Sequence, residues 1–124
     1  MDDKKGFSDF VTGRIKAFQY VFRGMFLMLK GEASLQVQFL LFSVTAGLSY
    51  YSGFSPVEWA VFFVAWGLIF TAETLNTSVE RLADVVSPEY DERIRDVKDL
   101  AAGAVGWAAT SALFAYIFLI LKHI

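Results

Sequence analysis

The stretch VEWAVFFVAWGLIFTAETLNTSVERLAD, residues 57–84, runs from an apolar segment directly into a polar one. Its first half is apolar enough to lie in lipid. Its second half carries Glu73, Asn76, Glu80 and Asp84 at spacings of three, four and four. Side chains at these spacings stack on one face of an α-helix. The stretch therefore predicts a membrane helix with a polar stripe, formed by these four residues, that descends from water into lipid.

The composition of the chain is typical of a membrane protein. Of its 124 residues, 56% are hydrophobic, and the mean hydropathy is +0.47, well above the usual soluble balance. The absence of cysteine excludes disulfides, thiolate metal sites and thiol nucleophiles. The formal net charge of -2 indicates no class of partner. Residues 1–19 mix acids and bases without an apolar core, so we expect no removable signal peptide and one domain over residues 1–124.

The predicted fold is all-α, with three membrane spans. A span takes about 20 mostly apolar residues, and three segments qualify, at about residues 35–52, 56–78 and 99–121. The link SGFSP predicts a tight turn, so the first two spans form an antiparallel hairpin. Residues 77–98 are charged and interrupted by SP. They are predicted to lie outside the bilayer, as the end of one helix, a loop and the start of the next.

Residues 7–30 predict an amphipathic helix along the membrane surface. Apolar residues recur at helical spacing on one side, and Asp9, Lys16, Arg23 and Lys30 recur every seven residues on another. Such a helix either only anchors the protein or also contributes to an active site, and the pattern leaves both open.

Lysine and arginine predict the orientation, because cytoplasmic flanks carry the excess of these residues. Six precede the first predicted span and four lie between the second and third, whereas only Lys122 lies beyond the opposite face. The amino terminus and the 77–98 loop are therefore expected in the cytoplasm, and the carboxyl terminus outside.

Glu73 is the deepest residue of the polar stripe. Burying an ionisable side chain at that depth in the membrane costs free energy, so its presence there indicates a functional role. Desolvation of its charged form suits a general base. The bland alternative is a carboxylate that is protonated or that pairs with another helix. Glu80, Asp84 and Glu32 lie nearer water and offer oxygens to a hard cation such as Mg²⁺. Each alone is better explained as a hydrated charge at the membrane interface, and their common depth favours a shared site.

Lys98 and Asp99 open the third predicted span at the same membrane level. The lysine suits a phosphate, but a solvated boundary pair explains both residues as well. The following small residues, among them Ala102 and Gly103, favour close helix packing over a ligand role. The sequence has no soluble nucleotide-binding or metalloprotease motif. Its single histidine, His123, is expected to be solvated at the external end.

Three stretches resemble one known family. They are IKAFQYVFRG at residues 15–24, GEASLQVQ at residues 31–38, and ETLNTSVERLADVVSPEYDERIRDVKDLAAGAV at residues 73–105. The pattern E-x-x-N-[ST]-x-x-E followed by K-D-x-A-A is long and specific. On these stretches the chain resembles the bacterial integral-membrane lipid kinases, the prokaryotic diacylglycerol kinase family, which includes diacylglycerol kinases and undecaprenol kinases.

The resemblance implies transfer of the ATP γ-phosphate to a lipid alcohol at the inner membrane of a bacterial cell, in a homotrimer with shared active sites and with Mg²⁺. By motif position it implies that Glu73 is the general base and that Asn76 orients the reacting groups. Glu32 and Glu80 match metal-coordinating carboxylates. The implied ATP-contacting residues are Tyr20, Glu32, Glu80, Glu89, Tyr90, Asp91, Lys98 and Asp99. The implied lipid-contacting residues are Glu73, Ser34, Gln38 and Ala102. Arg14 is a possible further phosphate contact, and Asp84 has no firm role.

The residues after Glu32 bear on the choice of lipid substrate. After Glu32 the chain has the weakly polar residues 34–38, where the diacylglycerol branch is charged, and this favours undecaprenol. The implied role is phospholipid synthesis or recycling of a cell-wall lipid carrier. The competing hypothesis is a non-catalytic oligomeric membrane protein whose buried carboxylates only pair helices.

Overall fold

The computed structural model describes residues 3–31 and 33–124, and every regular element within them is an α-helix. The helices are α1 (Asp3–Gly31), α2 (Ala33–Ser52), α3 (Pro56–Val86) and α4 (Glu92–Leu121). The all-α prediction is confirmed. Glu32, a predicted metal and ATP ligand, lies outside the described residues.

The chain divides into two compact units, residues 1–36 and 37–124. In the first unit α1 is one continuous helix of 29 residues. Its large apolar side chains, such as Phe7, Phe18 and Phe22, are exposed, as are nearly all its other side chains. Its position on a membrane and the single-domain organisation stay predictions.

The turn between α2 and α3 forms where SGFSP predicted it. Gly53 has a φ of +79°, a left-handed conformation that favours glycine after a helix end. The backbone N–H of Phe54 donates to the carbonyl of Ser49 over 3.1 Å, which completes the end of α2. Ser55 then caps α3 by accepting a hydrogen bond from the Glu58 N–H over 3.3 Å, and Pro56 occupies the first helical turn.

Two elements pack against α3 in the second unit. From α2, the Phe42 ring lies 5.5 Å from the Phe62 ring and 5.6 Å from the Trp66 ring, between ring centroids. Phe39 stacks on Phe70 at 5.2 Å, and because higher numbers on α2 meet lower numbers on α3, the two helices are antiparallel. Helix α4 runs closely along α3 and also meets α2, because the Tyr116 hydroxyl donates to the Thr45 carbonyl over 2.9 Å.

Membrane crossing is supported for two helices by length and hydropathy. Within the described residues, α3 and α4 qualify as spans, and a third is reached only if α1 and α2 count together as one interrupted span. The second and third predicted spans are therefore confirmed as candidates, and a separate first span over residues 35–52 stays a prediction. The charged segment 77–98 is mostly helical. Only residues 87–91, between α3 and α4, lie outside a helix.

Candidate functional site

The polar stripe lies on one unbroken helix, as its spacing predicted. Glu73 and Asn76 are half-buried, whereas Glu80 and Asp84 are exposed. With a rise of 1.5 Å per residue, the stripe spans about 16 Å along α3. The four side chains therefore form a gradient from a partly dry end at Glu73 to a wet end at Asp84.

Gln38 joins Glu73 at the dry end. The Gln38 Nε2 donates a hydrogen bond to the Glu73 Oε1 over 2.5 Å, from α2 to α3. The oxygen of the same amide, Gln38 Oε1, is buried and has no partner in the part of the chain that the structure describes. Two of the four residues assigned to the lipid on resemblance are thus in direct contact, and the Gln38 oxygen can accept a hydrogen bond from a further donor.

Asn76 joins Glu80 one turn further along. Its Nδ2 donates to the Glu80 Oε1 over 3.3 Å, so its Oδ1 is oriented as an acceptor. That oxygen is buried and, among the residues described, unpaired. Buried acceptors are normally satisfied, so this oxygen is placed to accept a hydrogen bond or to ligate a cation.

Asp84 forms an ion pair with Lys98 at the wet end. The Lys98 Nζ lies 2.5 Å from the Asp84 Oδ1, which ties the end of α3 to the start of α4. Lys98 was predicted to contact the nucleotide and Asp84 had no role, and neither spacing nor charge predicted this pair. The pair forms because the loop at residues 87–91 reverses the chain. Asp84 and Lys98, fourteen positions apart in sequence, therefore lie side by side on neighbouring helices.

The predicted nucleotide contacts in the loop have structural roles of their own. Asp91 caps α4 and accepts from both the backbone and the side chain of Arg93. Hydrogen bonds from the Arg93 side chain, then from its backbone, hold the pKa of the Asp91 carboxyl below its ordinary value. The Tyr90 hydroxyl accepts from the Arg95 guanidinium over 3.2 Å, and the Glu89 carbonyl accepts from the Ser87 hydroxyl over 3.0 Å.

The remaining predicted residues are exposed. Asp99 and Ala102 lie on exposed parts of α4. In the first unit, Tyr20 and Ser34 are exposed, and the Arg14 guanidinium lies over the Phe10 ring at 5.1 Å from its centroid. Their roles toward ATP or lipid stay predictions.

A magnesium ion fits this donor set only in part. No group of three histidine, aspartate or glutamate side chains close enough for a metal occurs within residues 3–31 and 33–124. Mg²⁺, however, commonly takes one or two carboxylates and completes its shell with phosphate oxygens and water. The Glu80 carboxylate and the unpaired Asn76 oxygen match that pattern.

A second polar cluster, which we call the Glu58 cluster, lies at the far ends of α3 and α4 and was missed by sequence reasoning. Glu58 is only 5% exposed. Its carboxylate accepts from the Lys122 Nζ over 3.0 Å and lies 2.5 Å from the His123 Nε2. The imidazole also stacks on Phe54, with ring centroids 5.2 Å apart. The prediction of a solvated His123 is therefore wrong, because α4 ends beside the buried carboxylate that begins α3.

Comparison with known proteins places the chain in a family. The family described as prokaryotic diacylglycerol kinase matches residues 19–120, which include the polar stripe, Gln38 and Lys98. The undecaprenol kinase of Bacillus subtilis (strain 168) is 26% identical over 103 residues, covering 83% of this chain and 84% of the relative. Kinase chemistry implies ATP as co-substrate, and the non-catalytic alternative is set aside. The chain belongs to the prokaryotic diacylglycerol kinase family and is a membrane lipid kinase.

Proposed function

We propose that this kinase phosphorylates a single-chain polyprenol, undecaprenol, at the cytoplasmic face of the bacterial inner membrane. The observation that carries the proposal is the hydrogen bond between Gln38 and Glu73. It holds a carboxylate where the apolar half of α3 meets its polar half. A hydroxyl arriving from lipid reaches Glu73 there, and a phosphate arriving from water meets the stripe at Glu80.

The reaction begins with the alcohol hydroxyl donating a hydrogen bond to Glu73. Glu73 takes the proton as the alcohol oxygen forms a bond to the γ-phosphorus, and the bond from that phosphorus to the bridging oxygen of ADP breaks. The products are the lipid monophosphate, ADP and a proton on Glu73, which returns to water. Gln38 keeps Glu73 oriented, and Asn76 orients the reacting groups.

The nucleotide lies at the wet end of the stripe in this proposal. Glu80, with Glu32, would hold Mg²⁺, which when bound neutralises phosphate charge. Lys98 would contact a phosphate, with Asp99, Tyr20, Glu89, Tyr90 and Asp91 as further nucleotide contacts. Ser34, Gln38 and Ala102 would contact the lipid. From the resemblance to the family we propose a homotrimer in which neighbouring subunits complete each site.

Undecaprenol is favoured over diacylglycerol for two reasons. The similar Bacillus subtilis protein is an undecaprenol kinase. The chain also has an uncharged glutamine at position 38 and no charge between Glu32 and Glu58, which suits an alcohol without ester groups. The product would be a cell-wall lipid carrier recovered for reuse.

A substrate comparison tests the proposal. The purified protein, in lipid nanodiscs with Mg²⁺ and ATP, is supplied with undecaprenol or with diacylglycerol. We expect faster phosphate transfer to undecaprenol and nearly none by Glu73→Gln. Equal turnover of the two alcohols would overturn the substrate assignment, and full turnover by Glu73→Gln would overturn the role of the base.

A further inference from the structure

An apolar cavity of about 250 Å³ lies between α2, α3 and α4, within the second unit. Its walls include Leu41, Ala65, Ile69 and Ala112. Tyr116 also lines the cavity, and its hydroxyl donates a hydrogen bond to the Thr45 carbonyl over 2.9 Å. The space between the helices therefore favours hydrocarbon over any polar ligand.

The cavity continues the face that carries the candidate base. On α3, Ile69 precedes Glu73 by four residues, and on α2, Leu41 follows Gln38 by three. Residues at these spacings share one face of a helix. On both helices the lining thus starts one turn, about 5.4 Å, beyond the Gln38–Glu73 hydrogen bond. A molecule whose hydroxyl meets Glu73 has its adjoining carbons at the edge of this space.

The volume suits one hydrocarbon chain. An apolar protein cavity of about 150 Å³ holds one benzene molecule, so about 250 Å³ holds on the order of ten carbon atoms. That is two isoprene units of a polyprenol. A diacylglycerol carries two chains close to its hydroxyl, and only one of them could enter.

We propose that this cavity, the chain slot, binds the roughly ten carbons nearest the hydroxyl of the lipid alcohol and so selects single-chain alcohols. The proposal rests on the proposed kinase function for the identity of the alcohol. Ala65 and Ala112 determine how much chain enters, because larger side chains at these positions would occupy the slot.

Prenols of increasing length test the slot by activity. We expect kcat/KM of the wild-type protein to rise from isopentenyl alcohol to geraniol and to change little from geraniol to farnesol. Ala65→Leu should lower kcat/KM for geraniol and farnesol at least about tenfold, since each buried methylene is worth about fourfold in affinity, while isopentenyl alcohol keeps its value. Ala60→Leu is the matched control, because Ala60 is exposed on the same helix.

Binding is measured separately from catalysis through Trp66, which lines the slot. In a protein whose other tryptophans are replaced (Trp59→Phe, Trp107→Phe), a bromine-tailed single-chain alcohol should quench Trp66 saturably. Ala65→Leu should reduce this quenching, and Ala60→Leu should retain it.

The two measurements separate the two proposals. If prenol length or Ala65→Leu has no effect while phosphate transfer persists, the chain slot is wrong and the kinase assignment stands. If no alcohol is phosphorylated but Trp66 quenching saturates and responds to Ala65→Leu, the proposed reaction is wrong and the slot stands. Quenching that is linear and equal in both leucine variants overturns the slot, whatever the activity.

Discussion

Gln38 on α2 holds Glu73 on α3 through a hydrogen bond of 2.5 Å between residues 35 positions apart. Replacing Glu73 by glutamine should lower kcat at least about 100-fold, the usual worth of a positioned general base. Gln38→Leu should lower kcat about tenfold or more, since a hydrogen bond to a charged group is worth roughly 1.5–3 kcal/mol. Gln36→Leu, at an exposed position of α2, is the control. The measurement is the steady-state kcat of those variants that elute in size-exclusion chromatography at the position of the wild-type protein. An unchanged kcat in Gln38→Leu would show that Gln38 does not act in the site.

Asn76 has a buried oxygen beside Glu80 that is unpaired among the described residues, and we propose that it also ligates the magnesium ion. Asn76→Ala removes both that oxygen and the donor to Glu80, so the Mg²⁺ concentration for half-maximal rate should rise about tenfold or more, the usual effect of losing the orienting partner of a metal ligand. The measurement is initial rate against Mg²⁺ at saturating ATP. Thr74→Ala is the control, because the Thr74 hydroxyl is exposed and bonds only its own helix backbone in the described structure. An unaltered Mg²⁺ requirement in Asn76→Ala would exclude the ligand role.

Lys98 and Asp84 form an ion pair, and we expect substitution of Lys98 to raise KM for ATP more than substitution of Asp84. The Lys98 side chain is 37% exposed and that of Asp84 is 66% exposed, and exposed pairs contribute little to stability. Lys98→Ala should raise KM for ATP at least about tenfold by removing a charged phosphate contact. Asp84→Asn should change it less than about fivefold, because it breaks only the ion pair. ATP titrations measure both, and a larger effect from Asp84→Asn would indicate that Asp84 itself contacts the nucleotide.

The Glu58 cluster should contribute to stability and not to catalysis. His123→Ala removes both the hydrogen bond to Glu58 and the stacking on Phe54, so it should lower the Tm in detergent. His123→Phe keeps an aromatic ring against Phe54 and should lower the Tm less. Both variants should retain the wild-type KM for ATP, since the cluster lies at the opposite end of α3 from Glu80. A changed KM with an unchanged Tm would contradict this assignment.

The fold was largely predictable because its signals are local. Hydropathy indicated α3 and α4, SGFSP indicated the turn at Gly53, and the spacing of three, four and four placed Glu73 and Glu80 on one face. Each of these depends on residues within a few turns of one another. Helix α3 extends to Val86, well beyond the predicted end of its span at residue 78. Its charged residues after position 78 are compatible with a helix in water, and the helix ends shortly before Pro88, which cannot continue it.

The contacts between helices were not predictable from the sequence. Gln38 with Glu73, Asp84 with Lys98, and Glu58 with His123 each join residues on different helices. Periodicity gives the face of a helix that carries a residue but not the register of its neighbour. The sequence signal for the Glu58 cluster was the basic pair Lys122 and His123 at the end of α4 and the acid Glu58 at the start of α3. These residues are predicted to meet only when the two helices are known to be antiparallel.

The position of the Glu58 cluster also bears on bilayer thickness. Between Glu58 and Glu73, α3 has fourteen uncharged residues. The separation of fifteen positions corresponds to a length of about 22 Å, whereas the hydrocarbon of an ordinary bilayer is about 30 Å thick. With the Glu58 cluster at one boundary, Glu73 lies about 8 Å inside the other unless the bilayer thins around the protein. A membrane of shorter acyl chains brings its boundary toward Glu73. With this placement of the Glu58 cluster, the thickness of the host membrane sets how deeply the proposed base is submerged.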